Sequence, residues 1–103
     1  MGPHFSDNRI VMSDLRRYAN RFDALSHEVR LRILGRLRRA HPDGMVVGEI
    51  QQEIGVPAST LSHHLEVLFH EGLVQQRREG RFLRYTTDKQ GLEELLHFLK
   101  TEC

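Results

Sequence analysis

Val47-Gly48-Glu49-Ile50-Gln51-Gln52-Glu53-Ile54-Gly55-Val56-Pro57-Ala58-Ser59-Thr60-Leu61-Ser62-His63-His64-Leu65-Glu66-Val67-Leu68 reads as two short helices hinged at Gly55-Val56-Pro57. Val47, Ile50, Ile54, Val56, Leu61, Leu65 and Leu68 fall at helical spacing, so one face of each helix is predicted to be buried. Gly55 suits the position just past a helix end, and Pro57 cannot continue that helix. The second helix opens with hydroxyl residues, Ser59, Thr60 and Ser62, on its outward side. A rigid helix pair whose second member can enter the DNA major groove is a helix-turn-helix.

The next segment extends this reading. Gly72-Leu73-Val74 leads into Gln75-Gln76-Arg77-Arg78, then Glu79-Gly80, then Arg81-Phe82-Leu83-Arg84-Tyr85-Thr86. Two β-prone runs around a two-residue Glu79-Gly80 turn predict a hairpin. It carries four arginines, Arg77, Arg78, Arg81 and Arg84, against the single Glu79. A helix-turn-helix followed by a basic hairpin is a winged helix, suited to gripping a DNA duplex. If Phe82 faces the core, Arg81 and Leu83 point the other way and Arg84 leans toward the Phe82 side. Strand parity is loose at hairpin ends, so the tip residues Arg78 and Arg81 are the candidates for insertion beside the minor groove.

With 103 residues, the chain is expected to be one domain. Residues 1–9 read as a flexible N-terminus and residues 10–103 as the winged-helix and dimerisation domain. The expected fold is mainly α with a small β-hairpin, in the order α-α-α-α-β-β-α. Fifteen basic residues nearly balance 14 acidic ones. Nucleic-acid binding is therefore argued from the local surplus on the hairpin and not from net charge. Cys103 is the only cysteine, which excludes an intramolecular disulfide. Neither a signal-peptide core nor a membrane-length apolar run is evident, so a cytoplasmic protein is expected.

Val11, Leu15, Tyr18 and Phe22 form a helical stripe, with Arg16, Arg17 and Arg21 expected outside and Ser13 as N-cap. Ser26 is the expected cap of the second helix. Val29, Ile33, Leu34 and Leu37 form that helix's inner face, and Arg30, Arg32, Arg36, Arg38 and Arg39 are expected to coat the rest. Asp88 can cap a last helix whose apolar stripe is Leu92, Leu95, Leu96 and Leu99, with Phe98 at its flank. The first and last helices carry more apolar surface than a small domain easily hides. Val11, Leu15, Tyr18, Phe22, Leu92, Leu95, Leu96 and Leu99 are accordingly the candidate dimer interface. A symmetric dimer would present two recognition helices to a palindrome.

On the recognition helix, Ala58, Ser59, Ser62 and His63 lie away from the core face, with Thr60 beside them. Serine hydroxyls and the His63 ring can bond base edges or phosphates. For Ser59, helix capping with a phosphate contact is favoured over base readout. His64, next to the apolar face, is expected to be a structural histidine bonded to backbone. Ala58, Ser59, Thr60, Ser62, His63, Arg77, Arg78 and Arg81 are thus the candidate DNA contacts. No nucleophile–base pair, phosphate-cradling glycine loop or paired carboxylates suggest an enzyme.

Four segments together resemble the ArsR/SmtB winged-helix repressors. Leu25-Ser26-His27-Glu28-Val29-Arg30-Leu31-Arg32-Ile33-Leu34 is similar to that family's opening motif. Ser59-Thr60-Leu61-Ser62-His63-His64-Leu65 is similar to its recognition helix. Glu71-Gly72-Leu73-Val74 and Arg78-Glu79-Gly80-Arg81, with Tyr85 four residues on, are similar to its helix end and wing. The resemblance covers about residues 22 to 87 by motif and implies a homodimeric, ligand-responsive repressor on a palindromic operator. It also implies that the first and last helices form the dimer interface.

The family's metal sites are not matched. Val46, Val47 and Gly48 stand where many members carry ligating cysteines, and none of them can ligate. The four-ligand zinc spacing of other members' last helix is absent, His97 being the only histidine after Asp88. Phe98-Leu99-Lys100-Thr101-Glu102-Cys103 nevertheless resembles the tail of an arsenite-responsive branch, and Gly44-Met45-Val46-Val47-Gly48-Glu49-Ile50 is similar to another of its segments. Cys103 matches the first cysteine of that branch's pair. One thiolate per protomer cannot supply the three that As(III) prefers. Either the natural chain continues with further cysteines, or this member senses something else. The expected inducer is As(III) or another thiol-reactive species. The alternatives are a regulator sensing redox state or an organic ligand, and a winged-helix protein-interaction module.

Overall fold

The computed structural model describes residues 12–101. The expectations for residues 1–9, for Val11 and for Cys103 fall outside the described residues. The order of elements is α1 (Met12–Leu25), α2 (Glu28–Arg39), β1 (Met45–Val46), α3 (Val47–Ile54), α4 (Ala58–His70), β2 (Val74–Glu79), β3 (Phe82–Thr87) and α5 (Lys89–Thr101). The fold is a winged helix-turn-helix, as the periodicity predicts. Ile33 and Leu37 of α2, Ile50 of α3, and Leu61, Leu65 and Leu68 of α4 meet Leu73 and Val74 in the core.

One strand was not expected. β1 is two residues long, too short for alternation to register. It joins the hairpin in a sheet of order β1-β3-β2, pairing Met45 with Tyr85 and Val46 with Arg84. The hairpin turn is also shifted by one residue. Glu79 pairs with Phe82, so the turn is Gly80-Arg81 and not Glu79-Gly80. Tyr85 is buried while Phe82 is exposed, so Phe82 does not face the core.

Helix ends depart from expectation in two places. Ser13 lies inside α1, which starts at Met12. Ser26 closes α1 and does not cap α2: its hydroxyl donates to the Asp23 carbonyl at 2.7 Å. The N-cap of α2 is His27, without a side-chain bond. Asp88 does hold the start of α5, accepting from the Gly91 N–H at 3.0 Å.

Two arginines expected on the surface are buried. Arg21 packs inward from α1 and donates to Glu94 (3.1 Å) and to the Gly91 carbonyl (3.4 Å) on α5. Arg30 sits on the inner stripe of α2, one turn before Ile33 and Leu34. A buried guanidinium is tolerable only with its donors used, and both of these have partners.

At the junction of α4, β2 and α5 the backbones touch. Gly72 takes φ 75°, and the Leu73 N–H bonds the Leu68 carbonyl at 2.9 Å, closing α4 in a Schellman turn. Gly91 of α5 crosses the same turn. A Cβ at Gly91 would stand 1.9 Å from the Gly72 carbonyl oxygen, so only glycine fits. The apolar arc of α5 is split by this seating. Gly91, Leu95 and Phe98 face inward, so Phe98 is core-facing and not a flank residue, while Leu96 and Leu99 remain exposed.

Candidate nucleic-acid interface

The turn between α3 and α4 is tightly fixed. Gly55 adopts φ 81° and its N–H bonds the Gln51 carbonyl at 2.9 Å, while the Gln51 amide donates to the Val56 carbonyl. Glu49 reaches back to accept the Val46 N–H at 3.0 Å, securing the first turn of α3. Arg36 of α2 clamps Glu53 of α3, donating to both of its carboxylate oxygens, the longer contact being 2.7 Å. The pairing lowers the pKa of Glu53 by hydrogen bonding.

α4 presents one face to solvent. Ala58, Ser59, Thr60, Ser62 and His63 are all exposed. The N-cap is Pro57 and makes no side-chain bond, so Ser59 does not cap the helix. Proline has no side-chain acceptor, which leaves the first N–H groups of α4 aimed outward beside these hydroxyls, an arrangement that suits a phosphate oxygen.

The other side of α4 is tied to α2. His64 is buried, and its Nδ1 accepts a hydrogen bond from Arg30 Nε at 3.0 Å. Arg30 also donates to the Ala24 carbonyl at 3.4 Å. His64 is structural, though its partner is a side chain and not the expected backbone. The ring must be neutral for Nδ1 to accept. Burial pushes its pKa down, and the nearby Arg30, His27 and His63 push the same way.

The wing sorts its arginines. Arg77 and Arg84 both bond Glu79, at 2.6 Å and 2.8 Å, and Arg84 also reaches the Asp43 carbonyl at 3.3 Å. These two guanidinium groups hold the Glu79 carboxyl below its ordinary range. Arg78 and Arg81 are exposed and, among the described residues, form no such ion pair. Beneath the hairpin, Tyr85 receives a hydrogen bond from Gln76 at 3.1 Å, and burial raises its pKa. The structure therefore brings the exposed face of α4 and a tip with two unpaired cations onto one fold. Arg77, named from sequence as a candidate contact, is also exposed, with its guanidinium paired to Glu79.

The described candidate dimer residues lie on α1 and α5. Tyr18 stacks on Phe98, with centroids 4.3 Å apart and planes 12° from parallel. Leu95 is buried inside its own protomer; Leu15, Leu96 and Leu99 are exposed. Phe22, Leu25, Leu92, Leu95, Leu96 and Leu99 line an open groove of about 760 Å³, with Arg38, Arg39 and Lys89 at its rim. Among the described residues, no group of three or more His, Cys, Asp or Glu side chains could hold a metal ion. No helix among them is long and apolar enough to cross a membrane.

Comparison with known proteins gives this architecture a family. The model described as a helix-turn-helix domain matches residues 25–77, just over half of the chain. The chain belongs to that family. Within it, the helix-turn-helix protein is similar to the biofilm growth-associated repressor of Xylella fastidiosa, 35% identical over 83 residues that cover 81% of this chain and 70% of the relative. An ArsR-like transcriptional regulator from Rhodococcus sp. RHA1 superposes with a TM-score of 0.76 at 28% identity, covering 85% of this chain and 80% of that one. The homodimeric winged helix-turn-helix DNA-binding domain of Mb0332 from Mycobacterium bovis does so at 0.71 and 26% identity, covering 87% and 82%. These neighbours support the ArsR/SmtB winged-helix branch; the relatives are regulators, and the protein is not an enzyme.

Sequence reasoning missed two features of this helix-turn-helix protein. Arg30 bonding His64 had a signal: Arg30, Ile33, Leu34 and Leu37 share helical spacing, and a charge on an inner stripe requires a buried partner. The Glu79 clamp had none beyond proximity, because it depends on a hairpin register set by the turn.

Proposed function

We propose that the protein is a homodimeric transcriptional repressor that binds duplex DNA through α4 and the wing and leaves it when an inducer binds. The observation that carries this reading is the pairing of an outward, uncapped α4 N-terminus with the unpaired Arg78 and Arg81. Ala58, Ser59, Thr60, Ser62 and His63 approach the major groove, Arg78 and Arg81 flank it, and Arg77, exposed but paired with Glu79, supports them from the wing. The exposed Leu15, Leu96 and Leu99 and the groove beside them are the surface for a second copy, completed by Tyr18, Phe22 and Leu92. The Mycobacterium bovis neighbour, described as homodimeric, supports that arrangement.

The test is fluorescence anisotropy with a labelled duplex from upstream of the protein's own reading frame, repeated over a salt series. A DNA binder loses affinity steeply as salt rises, because condensed counterions are released on binding. Absence of binding at low salt would favour the protein-interaction module instead.

As(III), or another thiol-reactive species, is the inducer favoured by the resemblance of the tail and by Cys103. The chain with Cys103 alone should stay on DNA when arsenite is added, and a form extended by two further cysteines should leave it. An extended form that ignores arsenite would sink the arsenic reading and favour redox sensing by Cys103 or an organic ligand in the groove between α1 and α5.

A further inference from the structure

Phe82 stands at the hairpin tip and is 58% exposed. It opens β3, directly after the turn residue Arg81, and lies opposite Glu79 in the strand register. Strand alternation sets its ring on the face of the Arg77, Glu79 and Arg84 cluster, and sets Arg78 on the other face. The tip therefore carries a ring on one side, an unpaired guanidinium on the other, and Arg81 in the turn between them. A protein partner held by hydrophobic contact needs a wider apolar patch than one ring. Its neighbours Arg77, Arg84 and Glu79 carry a net positive charge, so the surface that fits is narrow, polyanionic and walled by C–H groups. The minor groove of a duplex has that chemistry, about 6 Å wide and negative at its floor and rim.

We infer that Phe82 is a DNA-contacting residue of the wing, its ring packed on the deoxyribose walls of the minor groove that Arg81 enters. This rests on the duplex-binding reading above. It adds an uncharged contact to a wing whose other tip residues act by charge. Apolar side chains set against minor-groove steps are a recurrent device for gripping and bending DNA.

The chain contains no tryptophan, so Phe82→Trp installs a single indole at the tip. Titration with the same upstream duplex should quench or blue-shift its emission, with the midpoint seen by anisotropy. Phe82→Ala should bind about tenfold more weakly, the scale of burying about half of an aromatic side chain. The slope of log K against log salt should not change, since a phenyl ring displaces no counterion. Unchanged indole emission at saturating duplex, or Phe82→Ala affinity within about twofold of the parent, would overturn the inference. Should Phe82→Ala lose its circular-dichroism helicity, the Phe82→Trp emission decides alone. If the parent chain binds no duplex, both readings fall. If it binds while both Phe82 variants are silent, this one falls and the DNA-binding reading stands.

Discussion

Replacing Arg30 by leucine tests how α4 is held. Leucine fits the inner stripe of α2, so the change deletes the guanidinium while retaining much of the apolar packing. His64 Nδ1 loses its 3.0 Å donor and the Ala24 carbonyl loses a weaker one at 3.4 Å. A buried acceptor left without a partner costs about 1–3 kcal/mol. Removal of one member of a buried charged pair costs up to about 5 kcal/mol, but here the deleted member is the charge itself and the histidine that stays is neutral. The lower range therefore applies, and a loss of about 2 kcal/mol is expected. For a domain near 100 residues this lowers Tm by roughly 10 °C.

The pH dependence gives a second, sharper readout. The folded-state pKa of His64 lies below its ordinary 6.5, by burial first and by Arg30 second. The unfolded state then binds more protons than the native state in the intervening range. The stabilising contribution is present above about pH 6.5 and is lost as pH falls through the lowered folded value. Arg30→Leu removes one cause of the shift and leaves burial, so the acid loss of stability attributable to His64 should become shallower. Circular-dichroism melts of both proteins from about pH 8 to about pH 5 measure both effects. An Arg30→Leu protein with the parent's Tm at neutral pH and the parent's acid slope would refute the argument that this bond holds the recognition helix.

Arg81→Ala should weaken binding to all duplexes and reduce the salt slope by about one, as for a lost phosphate or groove contact; anisotropy over a salt series checks it. Ser62→Ala or His63→Ala should instead change the ranking of operator variants in the same assay. Leu96→Glu should split the dimer in sedimentation at micromolar concentration, because an unpaired carboxylate would be buried at the interface. Gly91→Ala should destabilise by about 1–3 kcal/mol in a denaturant melt, since its methyl meets the backbone oxygen of Gly72, which no rotamer change can move aside.

The helix pair and hairpin were legible because their cues are local. Gly55-Val56-Pro57 marks one turn, and the apolar spacing of Ile50, Ile54, Leu61, Leu65 and Leu68 marks both inner faces. The exposed residues of α4 followed from the same periodicity. β1 was invisible because two residues show no alternation and its pairing with β3 is about 40 residues distant in sequence. Arg21 was misplaced because charge was allowed to outweigh position. Its partner, Glu94, lies on a helix that only the tertiary fold brings near. The arc on α5 was read as one stripe, yet Gly91 must seat against Gly72, and that seating rotates Phe98 inward and Leu96 outward.

Glu79 has a consequence for how such a protein would search a chromosome. A repressor competes with on the order of a million or more non-specific sites, and its affinity for them rises with each phosphate it neutralises. By pairing with Arg77 and Arg84, Glu79 offsets one of the four guanidinium charges that the wing could offer to any sequence. For a protein acting as proposed, the residence time on irrelevant DNA would thereby be shortened, and the clamp that orders the wing would also leave more protein free to reach an operator.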